Sequence, residues 1–235
     1  MSKEQELYDQ VNRLKWHSHS QDEISNQTGW IPSSLTWTYA SASTYTIPGD
    51  VTATYQKGTY LKWLQTTQKY AVIASSSYSA PKTTVTIIVN TDYTIANAEI
   101  TSPYYSFAAN PQGWPGWFNY SPTLTGWSVV PPTYVYRYYP IGRKITLLIA
   151  QQANGTSNTT GVSGTLPVQA ATVSGSNLTW LSTGLGVDNG VTLTTPIRAD
   201  IVSGASQWGC YTNMASGAWT NTGNKRVYFQ IEYEF

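Results

Sequence analysis

The amino-acid sequence predicts an all-β protein that begins with a short N-terminal α-helix, continues into a small β-barrel or β-sandwich module, and ends in a larger antiparallel β-sandwich of jelly-roll type. Aromatic side chains make up 14% of the chain and charged side chains only 11%, against about 25% charged in a typical soluble domain. Short apolar runs are separated by Gly, Pro and Asn turn signals at intervals of roughly 8–12 residues, which is typical of sandwiches and barrels. Periodicity of the helical kind is confined to the N-terminus.

The N-terminal segment, residues 1–29, is predicted to be a helix and a polar linker. Leu7, Val11 and Leu14 are spaced at i, i+4 and i+7, which places them on one face of a helix. A helix of this length is marginal in water by itself, so its apolar face needs a partner. The partner is either the body of the same chain or further copies of the helix. In the second case these three residues form an oligomerisation or attachment element.

The second segment, residues 30–102, is predicted to be the small β-module. Its strand-like runs lie at residues 35–39, 44–47, 59–64, 70–75 and 83–89. Turn residues separate these runs, for example Pro48-Gly49-Asp50 and Asn90-Thr91-Asp92. Short strands with turn signals at this spacing predict a small barrel or sandwich.

The third segment, residues 103–235, is predicted to be the larger sandwich. Its strand-like runs lie at residues 133–139, 144–150, 164–168, 192–202 and 226–235. The last run alternates most cleanly, and these apolar side chains are predicted to share one face: Val227, Phe229, Ile231, Tyr233 and Phe235. Asn154-Gly155 and Asn189-Gly190 are predicted to form hairpin turns, because Asn and Gly tolerate the positive φ that such turns require.

The overall charge restricts the class of partner. The net charge is +1, with 13 basic and 12 acidic side chains, so no basic face is predicted and nucleic acid is not favoured. The charged N-terminus does not resemble a signal peptide, and no apolar run approaches the ~18 residues of a membrane-spanning helix. Cys210 is the single cysteine, which excludes an intrachain disulfide and fits assembly in a reducing cytoplasm. We therefore expect neither membrane insertion nor binding to nucleic acid.

The residue types needed for metal binding and nucleophilic catalysis are scarce. His17 and His19 are the only histidines, and both lie in the N-terminal segment. A catalytic triad within the β-body would therefore have no base. Two histidines and one cysteine also fall short of the ligand set of a zinc site, unless other chains contribute. We expect no catalytic residue, no metal and no cofactor.

Carboxylate pairs are the remaining catalytic candidates, because glycoside hydrolysis needs two carboxyl groups about 5–10 Å apart. Asp188 with Asp200, or Asp92 with Glu99, supplies two such groups. Asp188 and Asp50 lie in turn sequences, where Asp side chains commonly bond to the backbone. The sequence therefore favours a protein that binds or builds over an enzyme.

A loop rich in aromatic residues, Pro and Gly opens the third segment. Its candidate site residues are Asn110, Gln112, Trp114, Trp117, Phe118 and Tyr120. Flat aromatic faces flanked by amides suit the rings and hydroxyls of sugars without any charge. The same composition also suits a packed hinge between the two β-modules or a contact between subunits. The loop is therefore predicted to be either a glycan-binding site or interdomain packing.

Several short segments of the sequence occur together in a fixed order. They occupy residues 36–51 (TWTYASASTYTIPGDV), 58–63 (GTYLKW), 92–100 (DYTIANAEI), 102–106 (SPYYS), 110–118 (NPQGWPGWF), 142–150 and 154–158. In this order they resemble a module of tailed-bacteriophage virion proteins of the fibre, tail or baseplate adhesin, and head decoration types. The resemblance covers about residues 30–170 and carries no catalytic residues.

The resemblance implies a non-enzymatic structural component of a virion, assembled in the host cytoplasm. It also implies a homotrimer that attaches to other virion proteins through residues 1–29 and exposes its β-sandwich, in position to bind a host-surface polysaccharide. An alternative of a different class is a carbohydrate-binding module that uses the loop around Trp114 and Trp117. A glycan-degrading enzyme is the third alternative, and the scarcity of carboxylates argues against it.

Overall fold

The computed structural model describes residues 3, 5–6, 8–12, 27–174 and 178–235. These residues form a short N-terminal helix followed by two antiparallel β-sheets. Residues 3, 5–6 and 8–12 are helical, and residues 27–28 take helical conformation again before the first strand. The prediction of an all-β fold behind a short helix is confirmed. On the predicted helix face, Val11 is 40% exposed, whereas Leu7 and Leu14 lie outside the described residues.

The described strands divide into a first sheet of seven and a second sheet of twelve. The first sheet contains β1 (Ile31–Pro32), β2 (Thr38–Ser41), β3 (Thr44–Pro48), β4 (Tyr60–Leu64), β5 (Gln68–Ser79), β6 (Lys82–Ile87) and β7 (Thr101–Ser106). The second sheet contains β8 (Phe118–Asn119), β9 (Leu124–Thr125), β10 (Trp127–Val129), β11 (Tyr134–Ile141), β12 (Lys144–Gln151), β13 (Gly155–Ser157), β14 (Val162–Thr165), β15 (Thr179–Asp188), β16 (Val191–Thr192), β17 (Ile197–Val202), β18 (Gln207–Tyr211) and β19 (Asn224–Glu234). Strand β7 crosses residue 102, where the predicted second segment ends.

The first sheet folds around its own core because one long strand serves both of its halves. Its strand order is β1-β7-β4-β5-β6-β3-β2. Strand β5 pairs with β4 through residues 68–72 and with β6 through residues 73–79, with a register shift between Ile73 and Ser75. A shift of this kind bends a strand, and residues of both halves are buried together. We call this cluster the first core: Trp37, Tyr45, Ile47, Tyr55, Leu61, Trp63, Ala71, Ile73, Val85, Ile87, Ile95 and Ile100.

The second sheet is curled around a larger core, with β19 near its middle. Its strand order is β8-β11-β12-β19-β15-β17-β18-β14-β9, while β13 links β10 to β19 and β16 pairs with β15. Strand β19 lies between β12 and β15. The alternation predicted here is confirmed, because these five side chains are buried: Val227, Phe229, Ile231, Tyr233 and Phe235.

Strands β4 and β5 bury both of their faces. Leu61 and Trp63 of β4 belong to the first core, whereas Tyr60 of the same strand packs with apolar side chains of the second sheet. Successive side chains of a strand point to opposite faces, so the outer face of the first sheet is covered by the second. We call the cluster that spans both sheets the second core, and the residues that precede the second sheet in it are Trp30, Tyr60, Val72 and Ile88.

The two predicted Asn-Gly turns have different structures. Asn189 and Gly190 have positive φ values of 47° and 79° and join β15 to β16, as predicted. The predicted turn at Asn154-Gly155 is wrong, because this glycine lies within β13 and has no positive φ. A Cβ there would lie 2.5 Å from the carbonyl oxygen of Val129. Glycine is needed at this position for the close approach of β10.

Candidate functional site

The loop that leads from β7 into β8, residues 107–117, is shaped by two glycines. Gly113 and Gly116 have φ values of 78° and 75°, in the left-handed region that favours glycine. A Cβ at Gly116 would also lie 2.9 Å from the ring of Tyr139. Between and after these glycines, Trp114 and Trp117 contact different parts of the molecule, so the loop does not present the two rings as one platform.

Trp114 lies between the two sheets. Its ring centroid is 4.4 Å from that of Tyr60 on β4 and 5.1 Å from that of Phe118 on β8. The ring of Trp30, which precedes β1, lies 6.2 Å away. The indole Nε1 of Trp114 is buried and has no hydrogen-bond partner among the described residues. The side chain is therefore held by ring packing, and it contributes to the contact between the sheets.

Phe118 and Tyr120 are buried members of the second core. The ring of Phe118 stacks on Tyr138 of β11, with centroids 5.5 Å apart and an angle of 15° between the planes. Burial raises the pKa of Tyr120 well above its usual value, which keeps its hydroxyl protonated. Among the described residues this hydroxyl has no hydrogen-bond partner. Both side chains are placed to stabilise the fold.

The two polar residues of the loop differ in their contacts. Asn110 is exposed. The side chain of Gln112 is also exposed, but its backbone N–H donates to the carbonyl oxygen of Thr28 over 2.8 Å. Its carbonyl oxygen accepts a 2.8 Å hydrogen bond from Nε1 of Trp30. The backbone of Gln112 therefore fastens the loop to the segment that precedes β1.

Trp117 remains half-exposed at the outer face of the second sheet. The guanidinium carbon of Arg137 on β11 lies 4.5 Å from the centroid of its ring. The ring of Tyr139 on the same strand lies 5.6 Å away at an angle of 43°. Both tryptophans are partly exposed, and Trp117 is the one whose ring lies beside a guanidinium and away from the first sheet.

The first pair of candidate catalytic carboxylates is separately engaged. Asp188 accepts hydrogen bonds from Thr220, at 3.1 Å from the backbone N–H and 2.8 Å from the hydroxyl. Asp200 forms an ion pair of 2.9 Å with Arg198. Asp188 thus holds the loop at Thr220, and Asp200 is paired with an arginine two residues earlier on the same strand, β17.

Asp92 of the second candidate pair and Asp50 of a predicted turn have similar structural contacts. Asp92 accepts from the backbone N–H and the side-chain amide of Asn119, over 2.6 Å and 3.0 Å. Asp50 accepts from the backbone and hydroxyl of Thr52, over 3.2 Å and 2.7 Å. Glu99 is exposed. The Asp50 contacts agree with the turn role predicted from sequence.

Lys225 on β19 is a buried cation that the sequence analysis did not single out. It is 0% exposed, its Nζ donates to the carbonyl oxygen of Thr159 over 2.7 Å, and it lies 5.7 Å from the ring centroid of Trp127. Burial lowers its pKa to about 8, and the nearby Asp188 opposes that shift. The sequence pattern could have predicted this burial. Lys225 lies two residues before the buried Val227, and residues two apart on a strand share a face.

The described residues offer neither a metal-binding cluster nor a membrane-spanning helix. His17 and His19 lie outside the described residues. The described residues include no group of three His, Cys, Asp or Glu side chains that could hold a metal ion. Cys210 is buried, and burial raises the pKa of its thiol. No helix among the described residues has the length and hydropathy needed to cross a membrane.

Comparison of the chain with protein-family models, with curated proteins and with solved structures gives no match. The functional interpretation therefore depends on the residues and contacts described above.

Proposed function

We propose that the protein is a non-enzymatic structural component of a tailed-phage virion, a homotrimeric fibre, adhesin or decoration protein that attaches through its N-terminal segment. The observation that carries the proposal is the second core, which includes residues of both sheets. Packing of this kind joins the two modules into one stiff body, as a virion component that transmits force requires. The resemblance of residues 30–170 to virion proteins supports the same class.

The contacts of the acidic side chains support a structural role. Asp50, Asp92, Asp188 and Asp200 each hold a backbone group, a side-chain amide or hydroxyl, or an arginine of the same chain. A catalytic carboxylate must instead reach substrate at a site with room for a sugar ring. Release of products from a capsule or cell-wall polysaccharide would contradict this proposal and favour the glycan-degrading alternative.

Exposed apolar side chains on the outer face of the second sheet support self-association. Leu185 of β15 lies opposite Tyr228 of β19, and these side chains are 68% and 49% exposed. Leu181 on the same strand is 55% exposed. Adjacent apolar side chains at a surface commonly mark an interface, and closed homo-oligomers cover such surfaces. In this proposal the N-terminal helix supplies the attachment and the sheet face adds contact area.

The test is the solution mass of the full-length protein and of a variant lacking residues 2–19, measured by light scattering. We expect a trimer that becomes a monomer on truncation, while circular dichroism still shows the β-body. A trimer in both proteins would contradict the role of the N-terminal segment. A monomer in both would contradict the homotrimer.

A second candidate function is a carbohydrate-binding module, and the half-exposed ring of Trp117 beside Arg137 and Tyr139 favours it. Because Trp114 packs between the sheets, we assign sugar contact to the Trp117 side of the loop. Trp117→Ala is then expected to abolish saturable polysaccharide binding without unfolding the protein. Unchanged binding in this variant would contradict the module.

A further inference from the structure

Arg137 occupies an unusual position on the outer face of the second sheet. Its neighbours along the strand, Tyr136 and Tyr138, belong to the second core, so Arg137 points to the opposite face. Across the sheet it lies beside Asn119 on β8 and Leu148 on β12. Its side chain is half-buried, and its Nε atom is buried without a hydrogen-bond partner.

Among the described residues the guanidinium of Arg137 has a ring contact and no anionic partner. It lies over the ring of Trp117 at 4.5 Å. The ion pair found among the described residues joins Arg198 to Asp200 and leaves Arg137 out. A guanidinium offers five N–H donors in a planar fork that matches a carboxylate. The donors of Arg137 are therefore positioned by the ring and remain unused within the described chain.

Arg198 shows what the complete arrangement looks like in this same sheet. Its guanidinium carbon lies 4.4 Å from the ring centroid of Tyr211, which repeats the contact between Arg137 and Trp117. Its Nε is likewise buried without a partner. Here, however, the outer nitrogen Nη2 binds the carboxylate of Asp200 at 2.9 Å. Arg137 has the same ring support and the same buried Nε without the carboxylate.

We propose that Arg137, Trp117 and Tyr139 bind a sugar carboxylate of an acidic polysaccharide, with Arg137 taking the carboxylate and the two rings taking the apolar face of the sugar. The inference rests on the second candidate function, in which Trp117 contacts sugar, and it names the chemical class of that sugar. The two rings lie 5.6 Å apart with an angle of 43° between their planes, so they form adjacent aromatic surfaces beside the guanidinium. In this proposal the sugar carboxylate binds Arg137 in the way that the carboxylate of Asp200 binds Arg198.

The acidic side chain bound to the residue opposite Arg137 is Asp92, and it is held in place by hydrogen bonds. Asn119, which lies opposite Arg137, binds both carboxylate oxygens of Asp92 through its backbone N–H and its side-chain amide. These bonds hold Asp92 on Asn119 and away from the guanidinium, since no ion pair joins Asp92 to Arg137 within the described residues. An external carboxylate therefore meets an arginine that has no internal competitor.

The experiment measures binding of full-length protein to polygalacturonate, to dextran and to dextran sulfate by isothermal titration calorimetry. Polygalacturonate carries sugar carboxylates, dextran is neutral, and dextran sulfate is a polyanion without carboxylates. We expect affinity for polygalacturonate that exceeds affinity for the other two. Arg137→Gln is expected to weaken it roughly tenfold or more, because a charge-assisted bidentate contact is lost.

Two variants serve as controls. Arg143→Gln removes the same charge from an exposed position in the turn after β11 and is expected to leave affinity unchanged. Arg137→Lys keeps the charge but loses the planar fork, so it is expected to bind nearly as weakly as Arg137→Gln. Circular dichroism and melting curves of each variant verify the fold. Equal losses in Arg143→Gln and Arg137→Gln would indicate a general charge effect and overturn the proposal.

The outcomes separate this inference from the binding-module proposal. Equal binding of dextran and polygalacturonate, both lost in Trp117→Ala, would keep the module and overturn the carboxylate assignment. Equal binding of dextran sulfate and polygalacturonate would make the site a general anion contact and also overturn it. Binding of free galacturonate that quenches Trp117 fluorescence, with no polysaccharide bound, would keep the carboxylate contact and contradict the module. Absence of all binding would overturn both.

Discussion

The two cores of the protein differ in where their residues come from. The first core draws all its members from the first sheet and its loops, and its rings pack closely, with Trp37 and Tyr45 stacked at 4.4 Å. The second core combines the second sheet with residues that precede it, among them Tyr60 and Val72. The first sheet is therefore closed by its own side chains, whereas the second sheet uses the outer face of the first as part of its cover.

This difference implies an unequal dependence between the modules. Residues of the first core have their apolar partners within residues 37–105. Residues of the second sheet near Trp114 lose apolar neighbours if the first sheet is displaced. Apolar surface returned to water costs about 25 cal/mol per Å². We expect the first sheet to remain folded when the second opens, and the reverse to be less favourable.

The largest expected effect comes from removing one large ring from each core. Trp63→Ala and Phe229→Ala are each expected to lower the free energy of unfolding by about 3–5 kcal/mol, because each leaves a cavity in close packing. Hydrogen exchange measured by mass spectrometry shows which residues lose protection in each variant. In Phe229→Ala we expect residues 37–100 to stay protected while the second sheet exchanges. Exchange throughout both sheets would contradict the independence of the first core.

A smaller effect is expected at the contact between the sheets. Trp114→Ala is expected to cost roughly 2–3 kcal/mol, less than a fully buried tryptophan, because the ring is half-buried. Loss of this contact is expected to divide thermal unfolding into two calorimetric transitions. Trp117→Ala is the matched control, because its ring contacts Arg137 and Tyr139 of the second sheet. It is expected to cost about 1 kcal/mol and to leave a single transition. Two transitions already present in wild type would contradict the coupling role of Trp114.

The smallest expected effect is a pH dependence confined to the second core. The pKa of Lys225 is lowered to about 8 by burial, against about 10.4 in an unfolded chain. Between these values the unfolded chain holds a proton that the folded protein has released, so stability rises with pH in this window. Below about pH 8 both states are protonated, so stability no longer changes with pH through this group, and the cost of burying its charge is fully present.

The measurement compares wild type with Lys225→Met in urea at pH 7.5 and pH 9.5. Relative to the variant, wild type is expected to gain on the order of 1 kcal/mol over this interval. The buried tyrosines are common to both proteins, so their titration cancels in the difference. Parallel stabilities at both values of pH would contradict the lowered pKa of Lys225.

Sequence patterns predicted the strands that have one buried and one exposed face. The run at residues 226–235 alternates strictly, and Val227 and Phe229 are buried as expected. Strand β15 is absent from the predicted strands because Gly184 and Gly186 interrupt its pattern and glycine disfavours strands. A Cβ at Gly184 would lie 2.1 Å from the carbonyl oxygen of Tyr228. The glycines that obscure the strand pattern in the sequence are therefore the residues that allow β19 to lie close to β15.

The candidate site was predicted only as a set of alternatives. Trp114 and Trp117 are three residues apart in a loop without a repeating backbone geometry. Sequence periodicity therefore cannot predict the direction in which either side chain points. The turn at Gly116 and the contact with Tyr139 decide the direction of Trp117, and both depend on β11. Arg137 was not predicted, because its role depends on a contact with the ring of Trp117, 20 residues earlier in the chain. A contact of this kind has no local sequence pattern.

The place of β19 in the chain also has a consequence for synthesis. Every strand that it pairs with, β12, β13 and β15, precedes it, and its register joins Lys144 to Glu234 and Ala150 to Tyr228. At roughly 5–20 residues per second, a ribosome completes β7 on the order of ten seconds before β19. The first sheet therefore has time to fold while β12 still lacks its neighbour. The nascent chain at this stage exposes unpaired strand edges, which makes it the stage most prone to aggregation.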